Sequence, residues 1–570
     1  MSTRRLWIEL RSQVLALSRR RQVDGRRRSF HNCSLLNNRR SNVFIPSIKT
    51  DTNESIASVT STGLLTMAGY IEMSSSGVYS LFPLGLKVRR KLEAIIRKNV
   101  NQVGGSELAL PLVLSAEPWA KTGRANTPEI FTLQDMPGYL LAPTHEEEIT
   151  SIVASKAISF RDLPLRLYQI GEKFRKELRP RGGMMRGRQF TMFDLYSFDS
   201  SVKDAMRSYR DMKHAYSQIF DDIGVKYVVA DADSGEIGGD LSHEYHYLTK
   251  VGQDTIVSCS ACEYTANVEV ALSFPAENSP ELTGDDVTVE YGLLSKETLL
   301  IFYYPSNRKL NKRIVKRRFP EYQLDHPDPV SAIVDSDIDP MIRSLIRVFD
   351  ERVPEGLSLP DLPFQVNISN ITNVRMPCVE VEPTEFPGEG CPDCEDGVLT
   401  SATAAEVGHT FYLGQKYSKP LAATAKAEDN SVVPYEMGCY GIGVTRLIDV
   451  IAEVTRDENG LCWPVSVAPY EVIIVGVDQN ETVMTNIEKR LQDSGIDVLV
   501  DDRVNRKLGW KMYEAKKIGI PVMVIVGNSY LKSGKVEVEN RRTKEKFVSE
   551  LCETEELVKS ILEAEMEAMR

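Results

Sequence analysis

The residue types best suited to chemistry are concentrated in one stretch: Phe174-Arg175-Lys176-Glu177, then an arginine- and glycine-rich loop, then Arg188-Gln189-Phe190. The loop holds Arg179, Arg181, Arg186 and Arg188 with Gly182, Gly183 and Gly187. Guanidinium groups bind phosphate oxygens in pairs and keep their charge, and glycine lets backbone approach a ligand closely. Such a loop suits a polyphosphate, with an ordinary solvated basic turn as the alternative. The apolar and aromatic runs on either side, Leu165 to Phe174 and Gln189 to Phe198, have strand character, which makes the loop the tip of a hairpin.

A second stretch, Gly438-Cys439-Tyr440-Gly441-Ile442-Gly443-Val444-Thr445-Arg446, reads as a glycine-spaced turn opening into an apolar helix. It is not a dinucleotide fingerprint, because Asp449 follows too early and no strand–helix–strand unit comes after it. Upstream, Pro143-Thr144-His145-Glu146-Glu147-Glu148 follows a short strand. The helix macrodipole favours acids at such a start, which suffices for Glu147 and Glu148, and His145 reads as a cap or surface residue. In Gly235-Glu236-Ile237-Gly238-Gly239 the glycines allow either close ligand approach or a tight turn, with His243 just beyond.

Cys259/Cys262 and Cys391/Cys394 have metal-knuckle spacing. Four thiolates can hold zinc tetrahedrally. The 128 residues between the pairs exceed those of a compact ribbon, so four reduced thiols are the alternative. Two chain crossings at the base of an insertion would make the pairs neighbours. Nine cysteines in 570 residues do not form a secreted disulfide framework.

The elements that must position these groups follow from periodicity. Gly85 to Val100 and Val202 to Ile223 read as helices, and Glu107 to Leu114, carrying Pro111, as an edge strand. From Pro469 strand and helix alternate, predicting a small α/β domain with a mixed, largely parallel sheet. At roughly 100–200 residues each, the length allows about three or four domains. No apolar run reaches the roughly 18 residues a membrane helix needs. Residues 1–50 carry eleven arginines and one lysine against Glu9 and Asp24, a net charge of +10, leaving −21 on residues 51–570 of a chain whose total is −11. An arginine-rich, acid-poor, amphipathic start predicts a mitochondrial transit peptide lying outside the fold, with a disordered nucleic-acid-binding arm as the alternative. The acidic remainder requires any RNA to be bound through local basic patches. One such patch, Asn307 to Arg318, has seven Lys/Arg in twelve residues, and reads equally as tRNA contact or solvated helix face.

Taken together, Phe-Arg-x-Glu, its Arg-x-Phe return strand and the Gly-x-Gly-x-x-Arg helix start resemble motifs 2 and 3 of the class II aminoacyl-tRNA synthetases. LLTMAGYIEMSSSGVYSLFPLGLKV, LAPTHEEEIT, YQIGEKFRKELRPRGGMMRGRQFTMFDLYSF, EVGHTFYLGQKYS and MGCYGIGVTR are similar to bacterial-type prolyl-tRNA synthetases, including organellar forms, over residues 64–275 and 401–570. The resemblance implies an α+β (α/β) chain. An antiparallel catalytic domain would occupy residues 51–275 and 401–465, interrupted by a shortened insertion at 276–400, with an α/β anticodon-binding domain at 466–570. The helix and Pro111 strand resemble motif 1, which implies a homodimer.

The implied reaction joins L-proline to tRNA(Pro) through prolyl-adenylate, using ATP with Mg²⁺ in the mitochondrial matrix. By resemblance, Arg175 holds the α-phosphate and the proline carboxylate, Glu177 the adenine amino group, and Arg186 and Arg188 the polyphosphate. Phe190 and Arg446 sandwich adenine beside Gly441 and Gly443. Thr144, Glu146 and His243 receive proline, and a recessed carboxylate with a hydroxyl can take both protons of its secondary ammonium. Asp502, Arg503 and Lys511 are anticodon-contact candidates, or plain surface. The insertion is unlike the family's editing domain, and Lys296 is a weak match to its lysine, so deacylation is not expected. The rivals are a threonine, glycine or histidine synthetase, a non-catalytic RNA-binding relative, and a free-standing editing hydrolase.

Overall fold

The computed structural model describes residues 38–46, 56–156, 158–235, 237–239, 241–276, 282–295, 297–322, 344–360, 362, 368–381, 389–426, 431–477 and 480–568. Met1–Asn37 and Lys296 lie outside them, and with them most of the leader and the matched lysine of the insertion.

The catalytic body is built on a nine-stranded sheet. Towards one edge it carries the hairpin Leu165–Phe174/Gln189–Asp199, paired from Leu165↔Phe198 to Phe174↔Gln189 as the apolar runs require. Gln189–Asp199 then pairs antiparallel with Glu436–Gly443, which pairs with the long strand Leu399–Gly414. The glycine stretch expected to be a turn is therefore a central strand, and the helix Val444–Thr455 begins only at its end. Small residues serve there because neighbours crowd the strand: a Cβ on Gly441 would meet Met192 Cε at 2.4 Å. The helix Val202–Ile223 matches its expected span and buries Tyr209, Met212, Tyr216, Ile219, Phe220 and Ile223 at helical spacing. Each such side chain contributes about 1.5–3 kcal/mol.

The expected strand from Glu107 to Leu114 is interrupted. Only Ser106–Glu107 and Val113–Ser115 join ladders. Between them Leu110 N–H bonds to Gln169 Oε1 and the Pro111 carbonyl meets His145 Nε2 at 2.9 Å. Proline has no N–H to give a ladder, so this segment trades strand pairing for side-chain partners.

The insertion forms a sheet of Val287–Ser295, Thr298–Pro305, Ser344–Phe349 and Asn370–Arg375, with one antiparallel and two parallel pairings. The basic cluster becomes the helix Lys312–Arg318. Arg313 pairs with Asp233 and Glu269, Arg317 donates to the Ala232 carbonyl, Lys316 to the Tyr322 carbonyl and Arg308 to Glu389. Those four charges are spent inside the fold.

The C-terminal domain has the expected strand–helix alternation, but its five-stranded sheet is only half parallel. Val472–Gly476 pairs parallel with Val498–Asp501 and Val522–Val526, whereas Lys535–Asn540 and Lys546–Glu550 add on antiparallel. Val498–Asp501 is the edge strand.

The leader expectation needs a correction at its end. Residues 38–46 lie on the fold, along that edge: Arg40 N–H donates to the Val500 carbonyl (2.8 Å) and Val500 N–H to the Asn38 carbonyl (2.7 Å). Ile45 is buried in the core that the catalytic body shares with the C-terminal domain, and Phe44 packs edge-on against Phe82. Arg40 is 7% exposed, despite the solvated-leader character of the surrounding sequence.

Candidate active site

A cavity of about 560 Å³ opens beside the hairpin tip, lined in part by Thr144, Arg175, Glu177, Arg186, Phe190, Gly441, Gly443 and Arg446. The backbone places them. Phe174 N–H donates to the Ala142 carbonyl (2.9 Å) and Lys176 N–H to the Glu129 carbonyl (2.7 Å), which brings the Thr144 loop alongside Arg175. From the other side, the helix Val444–Thr455 holds the arginine loop. Arg446 Nε donates to the Met185 carbonyl (2.8 Å), and Asp449 accepts from Met184 N–H and Thr62 Oγ1, each at 2.9 Å. Burial pushes the Asp449 carboxyl up to about 6. The loop glycines answer to this packing as well as to any ligand: Gly183 sits at φ +64°, and a Cβ there would lie 1.7 Å from Thr62 Oγ1.

Arg175 stacks over Phe190, with its guanidinium carbon 5.2 Å from the ring centroid. Among the described residues its side chain has no hydrogen bond or ion pair. Glu177 is bridged by Arg186 (Nε–Oε2, 2.5 Å), which, against the upward push of burial, holds the carboxyl below its ordinary value. Arg188 does not line the cavity; it donates to the carbonyls of Glu177 (2.9 Å) and Ser76 (3.3 Å).

Thr144 faces the cavity, and its hydroxyl donates to Glu146 Oε2 (2.6 Å), which is fully buried behind it. Arg124, on the cavity wall, contacts both Glu146 and Glu147 at 3.2 Å and packs over Trp119. Burial would raise Glu146, but Arg124 and Thr144 draw it down, whereas burial prevails at Glu147 and raises it. Glu147 is thus no solvated helix acid: it is 1% exposed and accepts from Thr122 Oγ1 (2.8 Å). His145 is likewise fully buried, its Nδ1 meeting Gln169 Nε2 at 2.9 Å. Cys439 points its thiol at Glu146 Oε1 (3.2 Å), with burial raising its pKa.

His243 lies outside the cavity lining. Its Nδ1 meets Tyr209 Oη at 2.7 Å and its Nε2 lies 3.4 Å from Asp231, while burial and the nearby Lys213 lower its pKa to about 4.

The sequence reading assigned no role to Glu406, His409 or Arg124. Glu406 and His409 project from Leu399–Gly414 into the cavity, and together with Glu244 place donor atoms within 4.8 Å of one another. Arg446 Nη1 lies 3.0 Å from Glu406 Oε2, and against the push of burial His409 and Arg446 hold that carboxyl well below the usual range. A signal was present in the Glu-x-x-His spacing of EVGHTFYL on a strand, two residue types able to hold a cation.

The two cysteine pairs do converge. Cys259 and Cys394 sulfurs are 3.6 Å apart, Cys262 and Cys391 sulfurs 3.5 Å apart, and all four cysteines are reduced. Ala261 N–H donates to Cys259 Sγ and draws its pKa down to about 6, and a Cβ on Gly397 would lie 2.1 Å from that sulfur. Four close thiols with backbone donors on their sulfurs fit a tetrahedral zinc site.

The anticodon candidates are differently placed. Lys511 is 1% exposed and donates to the Gly476 carbonyl (3.1 Å). Arg503 pairs with Asp501 (2.6 Å) and with Glu514. Asp502 accepts from Ser41 N–H (2.9 Å) and Ser41 Oγ (2.6 Å). Lys511 is thereby a buried strut within its own domain, not a surface group.

Comparison with known proteins agrees with this architecture. The family described as tRNA synthetase class II core domain (G, H, P, S and T) matches residues 131–455, and an anticodon binding domain matches residues 471–563. The chain is 37% identical to a proline--tRNA ligase of Persephonella marina over 88% of this chain and 96% of the relative. It is 36% identical to a probable mitochondrial proline--tRNA ligase of Saccharomyces cerevisiae over 88% and 89%. The crystal structure of prolyl-tRNA synthetase from Cryptosporidium parvum complexed with L-proline and AMP shares the fold, with TM-score 0.59 and 16% identity over 91% of this chain and 78% of that one. A class II core followed by an anticodon-binding domain, with 37% identity to a proline--tRNA ligase over 88% of this chain, places the chain in the proline–tRNA ligase family of class II aminoacyl-tRNA synthetases.

Proposed function

We propose that the chain activates L-proline with ATP and transfers it to tRNA(Pro) for translation in the mitochondrial matrix. One observation carries the chemistry. Arg175 is a permanently charged group with no partner among the described residues, held by Phe190 in a cavity that also presents the Thr144–Glu146 pair. The carboxylate of proline attacks the α-phosphate of ATP, and pyrophosphate leaves. The terminal ribose hydroxyl of the tRNA then attacks the prolyl carbonyl of the adenylate, losing its proton as the acyl–phosphate bond breaks and AMP leaves. Neither step needs an enzyme nucleophile. Positioning and charge neutralisation do the work, and Arg175 stands where the negative charge gathers.

Phe190 and Arg446, both on the cavity wall, clasp adenine in this reading, which a planar guanidinium can do and an ammonium cannot. Glu177 takes the adenine amino group, and Arg186, now paired with it, swings to polyphosphate; Arg188 reaches phosphate by leaving two carbonyls. Two carboxylates on one guanidinium, Glu146 and Glu147 on Arg124, leave residual negative charge behind Thr144 for a secondary ammonium. Glu406 and Glu244, beside His409, would offer carboxylate oxygens to Mg²⁺, which would neutralise polyphosphate charge. The four cysteines would hold a structural zinc at the root of the insertion. The exposed Leu112, Val113 and Tyr139 next to the motif-1-like segment supply apolar surface for a homodimer. Mitochondrial import rests on the arginine-rich leader and on the yeast relative. Among the described residues no helix is long and apolar enough to cross a membrane.

The test is amino-acid-dependent ATP–pyrophosphate exchange with residues 38–570 across all twenty amino acids. Exchange should peak with proline, with weak activity for alanine and cysteine, since a missing methylene costs only about 1–3 kcal/mol of discrimination. Exchange with no amino acid from folded protein would contradict the reading and favour a non-catalytic RNA-binding relative. The same protein should leave alanyl-tRNA(Pro) intact.

A further inference from the structure

The geometry points to the Asn38–Pro46 segment as a working part of the mature enzyme, bridged at Arg39 to the edge of the anticodon-binding sheet, that positions the Asp502–Arg503 loop for tRNA. This rests on the reading of the C-terminal domain as the anticodon reader, and it reassigns residues that the leader composition places outside the fold.

Three sets of contacts carry it. The backbone of Asn38 and Arg40 brackets Val500 with two hydrogen bonds, on the edge strand of the domain. Arg39 pairs with Glu488 at 2.9 Å, and Arg40, buried, pairs with Glu514 at 3.2 Å while also donating to the carbonyls of Val43 and Ile45. Ser41 gives both its N–H and its hydroxyl to the carboxylate of Asp502. Glu514 is shared between Arg40 and Arg503, so the segment reaches Arg503 through one carboxylate. Arg503 and Arg506 both lie over Trp510, at 5.1 and 4.5 Å.

The other end of the segment belongs to the catalytic body. Ile45 is in the core it shares with the C-terminal domain, Phe44 packs on Phe82, and a Cβ on Gly69 would meet Ile45 at 2.9 Å. Nine residues thus bridge the two domains, alongside the core they already share and the Tyr70–Ile518 and Lys87–Asp497 hydrogen bonds. A leader freely discarded would not be expected to place an arginine in a buried carboxylate network, where an unpaired charge is costly. Arg40 and Ser41 are positioning residues: they are remote from the adenylation cavity and act through Glu514 and Asp502.

The experiment compares chains beginning at residue 38 and at residue 47 in two assays, proline-dependent ATP–pyrophosphate exchange and charging of tRNA(Pro) transcript. Removal of 38–46 should leave exchange within about twofold and lower kcat/KM for tRNA at least tenfold, mainly through KM. In the chain from residue 38, Ser41→Ala and Arg40→Ala should show the same split to a smaller degree, with Arg40→Lys recovering part of it. If the chain from residue 47 does not fold, Ser41→Ala decides by the same two assays. Unchanged charging, or charging and exchange falling in parallel, overturns the proposal. Normal exchange by the chain from residue 38 with no charging of tRNA(Pro) overturns instead the reading on which it rests.

Discussion

Two arginines on opposite domains show what separates a charge kept for a ligand from one spent on the fold. Arg175 lies in an open cavity, supported by a ring and paired with nothing described. Arg503 lies near the other functional face but gives its guanidinium to Asp501 and Glu514. In sequence both are arginines beside acids in a loop after a strand. The difference lies in what the neighbouring strands bring. Around Arg175 the hairpin and the glycine strand bring small or aromatic residues. Around Arg503 the edge strand and the following helix bring carboxylates. An unsatisfied charge can stabilise a transition state without first breaking a bond; one held between two carboxylates stabilises the protein, and Arg446, paired with Glu406 on the cavity wall, stands between the two cases.

This contrast can be broken first on the stability side. Arg503→Ala leaves the buried Asp501 carboxylate uncompensated, and should cost about 3–5 kcal/mol in chemical unfolding. Lys511→Met should cost less, about 1–3 kcal/mol, by orphaning a buried carbonyl. Unfolding midpoints equal to the parent's would show that these groups are free after all. On the activity side, Arg446→Ala should lower exchange kcat/KM by about 10²–10³, the range for one lost transition-state donor, with a much smaller loss of stability than Arg503→Ala.

The smallest effect concerns His243. Its folded pKa is about 4, below the ordinary value of about 6.5. The stabilisation from its neutral, buried state is therefore complete above pH 6.5 and is lost as pH falls through about 4. Thermal midpoints of the parent should decline more steeply than those of His243→Gln between those values. A fall in proline affinity with unchanged pH dependence would put His243 in the pocket instead.

The hairpin and its arginine were legible because two patterns coincide there: apolar runs of strand length, and guanidiniums with glycines between them. The helix Val202–Ile223 was legible from its repeat alone. The glycine strand was misread as a turn, because three glycines signal a bend locally, and only the sheet shows that they make room for Met192 and the cavity. Glu147 was misread because the macrodipole explained it adequately, while its partner Arg124 stands 23 residues away. Lys511 looked like surface because helical lysines usually are. Arg39 to Ile45 were hidden by a basic leader that has no local mark where it ends.

The central claim is that the unpaired guanidinium of Arg175 drives adenylation and adds little to the fold. It is tested most directly by measuring proline-dependent exchange and thermal stability together for Arg175→Ala and Arg175→Lys in residues 38–570. The account predicts that Arg175→Ala loses exchange by about 10²–10³ or more and keeps the parent's melting temperature, and that Arg175→Lys remains strongly impaired because an ammonium lacks the planar fork. Retained exchange in Arg175→Ala, or a loss of activity matched by a loss of fold, would contradict it.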